Sequence, residues 1–522
     1  MKKMLAITIL LTLFLFAFAS PQTVIAQEPV APGNPGVIAG IGTHFEATDS
    51  QYLTFTLDST ALIDLVLEPT AEMVFMHVAD GDGAPSTAIT LRGLPVQKEY
   101  HLYTDGMENH QVFVTDANGA FTFSLDLSAM RTVFVLPIPS TKFIYNSPTG
   151  GDCTTIGTWD AATKTCTLNR NVTETIQLGK DANLAPVTLN GNGFAVSARG
   201  VGLGVVIPNG MVGAAVKNLK LNNLTRGIYM DVGSSGSTIT GNTFISVSTG
   251  IYLYSSNGNT ITDNNFTLNF PYSVHHGIQL FNSCSNNLIS RNTFTENTLT
   301  PTSGIYIYNL STTPSTNNTV SHNVISMANT GIYISGAVNN TFTDNTLSKN
   351  GIGMYLWPPS PSSPNLDNKI YHNNFLDNTI QISDQSTTAN TFNQPKPVGG
   401  NYWSNHTGPD ANSDGFVDTG YMIRAGVYDN LPFTRQNGWI PPADALPPTT
   451  TDNATTGWQK ADFTVTLTCT DGGPSGCKET KYRLGGSAWQ TGTSVAIASE
   501  GDHLLEYYSV DNAGNQETTK SV

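Results

Sequence analysis

Between residues 187 and 395 apolar side chains fall at every second position in short runs, and the runs recur. One half of the repeat reads glycine, apolar, aromatic, apolar: GIYM from Gly227, GIYL from Gly250, GIQL from Gly277, GIYI from Gly304 and again from Gly331, GMYL from Gly353. The other half reads TITGNTF, TITDNNF, LISRNTF, TVSHNVI, TFTDNTL and KIYHNNF, with asparagines at Asn242, Asn264, Asn292, Asn323, Asn345 and Asn373. Successive glycines lie 23, 27, 27, 27 and 22 positions apart. A unit this short cannot hold two helices and a turn, and a period of two is a strand period. The pattern predicts a coil of short strands stacked on its neighbours, with equivalent residues about 4.8 Å apart. The asparagines are expected to build this fold. Asn tolerates left-handed backbone angles at a bend, and inward amides can bond to the amides above and below.

Short alternating runs also fill residues 45–145 (YLTFTLD, MVFMHVA, AITLRGL, QVFVTDANGAFTFSLDL, TVFVLPIP) and predict a β-sandwich, with DANG as a hairpin turn. ITLRGLPVQKEYHLY resembles a fibronectin-like strand pair with its corner tyrosine at Tyr100. The solenoid with its capping and closing segments is expected over 146–440. A Pro-rich linker at 440–448 then leads to a small β domain at 449–522. The chain reads as all-β: a right-handed parallel β-helix flanked by two sandwiches.

Within GIYLY the alternation turns Ile251 and Leu253 inward and Tyr252 and Tyr254 outward. One outward column is Tyr229, Tyr252, Gln279, Tyr306, Tyr333 and Tyr355; the next is Asp231, Tyr254, Phe281, Tyr308, Ser335 and Trp357. Nine of these twelve positions are aromatic in a chain that is 9% aromatic. Two readings share this geometry. The wall is a platform for the flat faces of an extended glycan, or the rings brace the outer sheet. Insertions near 268–276 and 296–303, and the tract LWPPSPSSPNLD at 356–367, are expected to wall the sheet into a groove.

Lys2 and Lys3 precede an apolar run to about Ala19, and small residues follow, so residues 1–26 read as a secretory signal peptide. No later stretch is long and apolar enough to span a membrane. The net charge of −15 sits at the ends. Residues 28–145 hold 14 acids against 4 bases, residues 396–522 hold 14 against 8, and residues 187–395 hold 7 of each. No segment has the basic excess that nucleic acid demands, and the neutral centre argues for a neutral or weakly charged glycan. Cys153 with Cys166, and Cys469 with Cys477, read as local disulfides of an exported protein; Cys284 reads as a buried small side chain.

The coils, followed by GNYWSNHTGPDANSDGFVDTGY and YDNLPF, resemble the secreted right-handed β-helix proteins of the NosD type across residues 187–435. That resemblance implies an exported β-helix of the class called carbohydrate-binding and sugar-hydrolase-like, and a link to periplasmic copper handling. The last segment, TVTLTCTDGGPSGCKETKYRLGG onward, resembles the Ig-like modules of bacterial surface proteins and stops one strand early.

Asp410, Asn412, Asp414 and Asp418 surround Gly415 with oxygens at alternate positions, which suits calcium; the alternative is an Asx-rich turn. The residue before each repeat asparagine forms a column of Gly241, Asp263, Arg291, His322, Asp344 and His372. It reads as a solvated charge ladder, with an acid–base array as the alternative. His275, His276, Glu296 and Arg291 lie near the insertions, but no carboxylate pair for a lyase, epimerase or hydrolase stands out. Met73, Met76 and His77, and His101, Met107 and His110, are the soft-ligand groupings for copper. Core methionines and surface histidines explain them more simply. The preferred reading is a glycan binder; a polysaccharide-active enzyme and a copper-handling protein are the alternatives.

Overall fold

The computed structural model describes residues 38–522 apart from 48–52, 70–72, 138–140, 198–201, 269–274, 297–301, 311–312, 358–363, 387–388, 441–443 and 456. The signal-peptide reading and most of the three inserted segments fall outside the described residues. The chain divides into two compact units between Asn437 and Gly438.

The first unit opens with an eight-stranded antiparallel sheet wrapped around its own core of Phe45, Phe55, Leu65, Val78, Leu91, Tyr100 and Val133. The DANG turn forms but is not a hairpin. Asn109–Val114 pairs with Glu99–Thr104, Phe121–Asp126 pairs with Ser86–Arg92, and the two strands flanking the turn end at opposite edges of the sheet. The Asp116 carboxylate accepts the amides of Asn118 and Ala120, and Gly119 takes φ 68°. The turn therefore closes on itself and works as a corner between layers, while Phe113 and Phe121 stack across it at 3.3 Å.

The solenoid follows as parallel strands in register from coil to coil. One face is a ten-stranded sheet running from Gly157–Asp160 to Lys369–Tyr371. The GIYLY strands form another face, with Ile228, Ile251, Ile278, Ile305 and Ile332 aligned and fully buried. Glycine is required within these strands because a Cβ at Gly250 would lie 2.5 Å from the Phe266 ring and 2.6 Å from the Gly277 carbonyl oxygen. Phe244, Phe266 and Phe294 stack inside at 4.5 and 4.6 Å. At the leading end the Cys153–Cys166 disulfide ties a helical turn, Cys153–Ile156, to the strand Thr165–Leu168.

The asparagines do form a ladder. Each Oδ1 accepts both the backbone N–H and the Nδ2–H of the previous coil's asparagine at about 3.0 Å, from Asn242 through Asn373 to Asn401. The left-handed residue, however, is the one before each asparagine: Gly241, Asp263, Arg291, His322, Asp344 and His372 all have φ between 56° and 66°. The asparagine is needed for its amide, and its neighbour absorbs the bend. A second ladder runs five positions earlier through Asn259, Asn287, Asn318, Asn340 and Asn368 and ends on Asn390, and a third joins Asn350 to Asn378.

The GNYWS box closes the trailing end. Asn401 is the last rung, and its backbone amide donates to the Asp429 carboxylate at 2.8 Å. Asp429 also accepts Trp403 Nε1–H at 2.9 Å and Leu431 N–H at 3.1 Å. Trp403 lies between Phe375 and Tyr421, at 4.3 and 4.0 Å, and covers the last coil. Gly400 is required because a Cβ there would fall 1.9 Å from Asp429 Oδ1.

The second unit is a small antiparallel module of two sheets around Val465, Leu467, Val495, Leu505 and Tyr507, with Cys469 and Cys477 bonded.

Two outcomes follow. Asn292→Ala orphans two donors on Asn264, so it should lower the unfolding free energy of the first unit by about 2–6 kcal/mol in denaturant melts, at about 1–3 for each unsatisfied group. Burial pushes the Asp429 carboxyl up from the ordinary aspartate range to about 6. The folded state then holds its proton more tightly than the unfolded chain. This carboxyl therefore withdraws stability as pH rises through 4 to 6, by about 3 kcal/mol. Asp429→Asn should flatten the melting-temperature profile over that window relative to the parent, and Asp429→Ala should lower it at every pH.

Candidate functional site

The aromatic wall is present but not open. Tyr229, Tyr252, Tyr254, Phe281, Tyr306, Tyr308, Tyr333 and Tyr355 point away from the solenoid core, as alternation requires, yet all are buried, at 0–5% exposure. Trp357 is half-buried beside them. The glycan-platform expectation is corrected here: the N-terminal sheet lies on the wall. Met73, Phe75, Tyr103, Met107, Phe134 and Leu136 share one apolar cluster with the tyrosines. Phe75 meets Tyr229 and Tyr252 edge-on at 5.4 and 5.9 Å, Phe134 meets Tyr229 at 5.3 Å, and His77 stacks on Tyr254 at 3.3 Å. Farther along, Tyr306 stacks between His276 and Tyr333 at 4.1 and 4.7 Å.

Polar groups lock this interface. The Arg226 guanidinium sits 3.9 Å from the ring centres of both Phe75 and Tyr252 and pairs with Glu68 of the sandwich. Tyr252 O–H donates to the same Glu68 at 2.5 Å. Asp231 accepts Tyr229 O–H at 2.9 Å, Thr132 Oγ1–H at 3.0 Å and Val232 N–H at 2.8 Å. Burial raises its carboxyl to about 6 and drives the His77 imidazole well below its ordinary value. Burial likewise lifts the tyrosine hydroxyls at Tyr229, Tyr252 and Tyr306, first among the causes in each case. The wall is a domain interface, and bracing is what its rings do.

The corner column stands in a line along the edge of the ten-stranded sheet. Asp263 and Arg291 form a two-bond ion pair at 2.8 Å, His372 Nδ1 lies 3.9 Å from Asp344, and His372 Nε2 lies 2.6 Å from the Val398 carbonyl oxygen. The flat face beside it escaped sequence reasoning. On the five central strands from Thr238–Thr240 to Thr341–Thr343, nine of ten outward positions are hydroxyls; Leu288 is the exception. The signal was the recurring T-x-T and its serine variants within the repeat already recognised.

The calcium expectation is also corrected. Asp410 accepts the amides of Asp414 and Gly415, Asn412 bonds to Asp414, Asp418 accepts Ala411 N–H, and Lys396 pairs with Asp414. These oxygens are spent on an Asx turn. Among the described residues, the acidic grouping whose oxygens lie within 4.8 Å of one another is Asp444, Asp471 and Asp511 in the second unit. It has the chemistry for a hard cation. Of the soft-ligand groupings, Met73 and Met76 fall in separate apolar clusters, and His101 Nδ1 lies 2.8 Å from His110 Nε2. Cys284 is buried and its thiol is pushed up to about 12.

If the wall is structural, removing its rings or its lock must weaken the fold. Tyr252→Ala should cost about 3–5 kcal/mol, as for a buried aromatic. Glu68→Ala should cost about 3–5 kcal/mol because Arg226 stays buried without its counter-charge. Chemical denaturation of the intact chain reads both, and wild-type midpoints for either variant would mean that the sandwich does not rest on the wall.

Two family models match the chain: "Periplasmic copper-binding protein (NosD)" over residues 296–408 and "Right handed beta helix region" over residues 155–320. No curated protein matches. A periplasmic alginate epimerase, AlgG, is similar at 16% identity over 42% of this chain and 65% of its own length, with a TM-score of 0.27, so the chain spans less than two thirds of that protein. The DFA-IIIase from Arthrobacter chlorophenolicus is similar at 10% identity over 45% of this chain and 70% of its own, with a TM-score of 0.29. The catalytic domain of a GH87 alpha-1,3-glucanase is similar at 11% identity over 67% and 93%, with a TM-score of 0.19. Likenesses of this size bear on neither activity nor substrate. The two family models meet on the stacked coils, which form a right-handed β-helix similar to that of the NosD-type proteins.

Proposed function

We propose that this is an exported protein that binds an extended, neutral or weakly charged polysaccharide along its ten-stranded sheet. The observation that carries the reading is the column of accessible hydroxyls, Thr238, Thr260, Thr319 and Thr341, repeating at the coil rise with no charge among them and backed by a second column in which Thr262, Ser290 and Ser321 are buried. Hydroxyls both donate and accept. A column of them matches a chain whose own hydroxyls recur along its length, and the single lysines in line with the columns, Lys369 after Thr341 and Lys217 before Thr240, are too sparse to favour a polyanion.

Binding without turnover is the better reading of the adjacent corner. Asp263 and Arg291 are engaged with each other, and one His372 nitrogen is held by a backbone carbonyl. A lyase, epimerase or hydrolase would need such groups directed at the sugar. Export agrees with the two disulfides.

A glycan array probed with the intact chain tests the proposal, with product assays for cleavage and equilibrium dialysis against copper alongside. Replacing both Thr260 and Thr319 by Lys should reduce binding to neutral polysaccharide at least about tenfold, a loss near 1.4 kcal/mol, at an unchanged melting temperature. Undiminished binding by that variant would remove the hydroxyl face from the mechanism.

A further inference from the structure

The second unit carries an outward sheet face that the proposed strip does not use. In Cys477–Leu484 the side chain of Thr480 is buried, so Glu479, Lys481 and Arg483 turn to the other side; in Leu505–Asp511 Tyr507 and Ser509 are buried, and Glu506 and Tyr508 turn outward. The register sets Arg483 opposite Glu506 and Lys481 opposite Tyr508. Arg483 holds Glu506 through two bonds at 2.7 and 2.9 Å, and its guanidinium lies 4.6 Å from the centre of the Trp489 ring. Trp489 meets Tyr508 edge-on at 4.8 Å and keeps 36% of its surface exposed. Lys481 Nζ lies 3.4 Å from Glu479.

Charge selects the occupant. The two cations of this face are each paired with an anion of the same face, so it sums to zero. Nucleic acid, a polyuronate or an acidic peptide would have to break an ion pair to be bound. A membrane surface would call for a basic excess or a broad apolar area. An aromatic ring backed on one face by a guanidinium that a carboxylate holds in place instead complements a molecule with an apolar ring face and uncharged hydroxyls at its rim. The Arg483–Glu506 pair holds the rim in place before the ligand arrives, which lowers the ordering cost of binding. We propose that Trp489, Tyr508 and Arg483 form a platform for one sugar ring of a neutral glycan. This site does not depend on the hydroxyl strip of the solenoid.

The test uses the intact chain, with tryptophan emission and calorimetry against cello-, manno- and xylo-oligosaccharides and with oligogalacturonate as the charged probe. At least one neutral oligomer should shift the emission. Trp489→Ala should abolish that shift, Trp489→Phe should retain part of it, and Tyr508→Ala should weaken affinity at least about fivefold. The Thr260→Lys, Thr319→Lys variant should leave the emission change intact, which separates failure of this site from failure of the strip. No response to any neutral oligomer, a preference for oligogalacturonate, or wild-type affinity in Trp489→Ala would each overturn the proposal.

Discussion

Everything in the first unit hangs on coils staying in vertical register. Main-chain bonds between parallel strands supply most of that register, but a strand pair can slip, and a slip of one residue would turn every buried isoleucine outward. The buried amide ladders forbid it. Each rung accepts two donors from the preceding coil and donates its own N–H and Nδ2–H to the following one, so a displaced coil would leave buried polar groups unmet at both neighbours. A ladder must also end somewhere. Asp429 supplies the last acceptor, and Trp403 covers the apolar end. The closing box, which reads in the sequence as a loop rich in calcium-like oxygens, is therefore the terminal cap of a quasi-one-dimensional stack.

Register is also what makes the surfaces long. Because Tyr229 sits beneath Tyr252, and Gln279 beneath Tyr306 and Tyr333, any outward residue type becomes a stripe. A stripe of rings is apolar and continuous, and it is stable in water only when something covers it. In this molecule the cover is built in, and its price is a charged pair and a carboxyl taken out of solvent, Arg226 with Glu68 and Asp231 beside Thr132. A stripe of hydroxyls needs no cover. The two faces of one solenoid thus divide into a sealed apolar one and a polar one that is open along its Thr238, Thr260, Thr319 and Thr341 column.

Much of this was legible from period and spacing. Alternation gave the solenoid, the inward isoleucines and the outward direction of Tyr252, and the recurrence of one asparagine gave the first ladder. The second ladder was equally legible, five positions before the first at Asn259, Asn287, Asn318, Asn340 and Asn368, and was overlooked. The left-handed corner was harder, because Asp263, Arg291, His322, Asp344 and His372 share a conformation and no chemistry. Only Gly241 advertises it. The carboxylates of the 410–418 loop show the same limit: spacing identifies oxygens that can converge, while backbone amides within reach decide whether they do.

The burial of the wall is the instructive failure, because its signal lay in the other domain. A sandwich strand with one wet face alternates, yet Val74–Asp80 is buried at five successive positions and Arg131–Leu136 likewise. Strands apolar at consecutive positions are covered on both sides. Phe75 and Phe134 face away from the sandwich core that holds Met76, Val133 and Val135, so the sheet has a second apolar face in need of a partner. The solenoid has one unpartnered aromatic wall. Two surplus apolar faces in one chain, on neighbouring domains joined by a short segment, predict each other as partners before any external ligand is invoked. MVFMHVA and TVFVLPIP, apolar at consecutive positions, are thus the mark in the sequence itself of the cover that the aromatic wall requires.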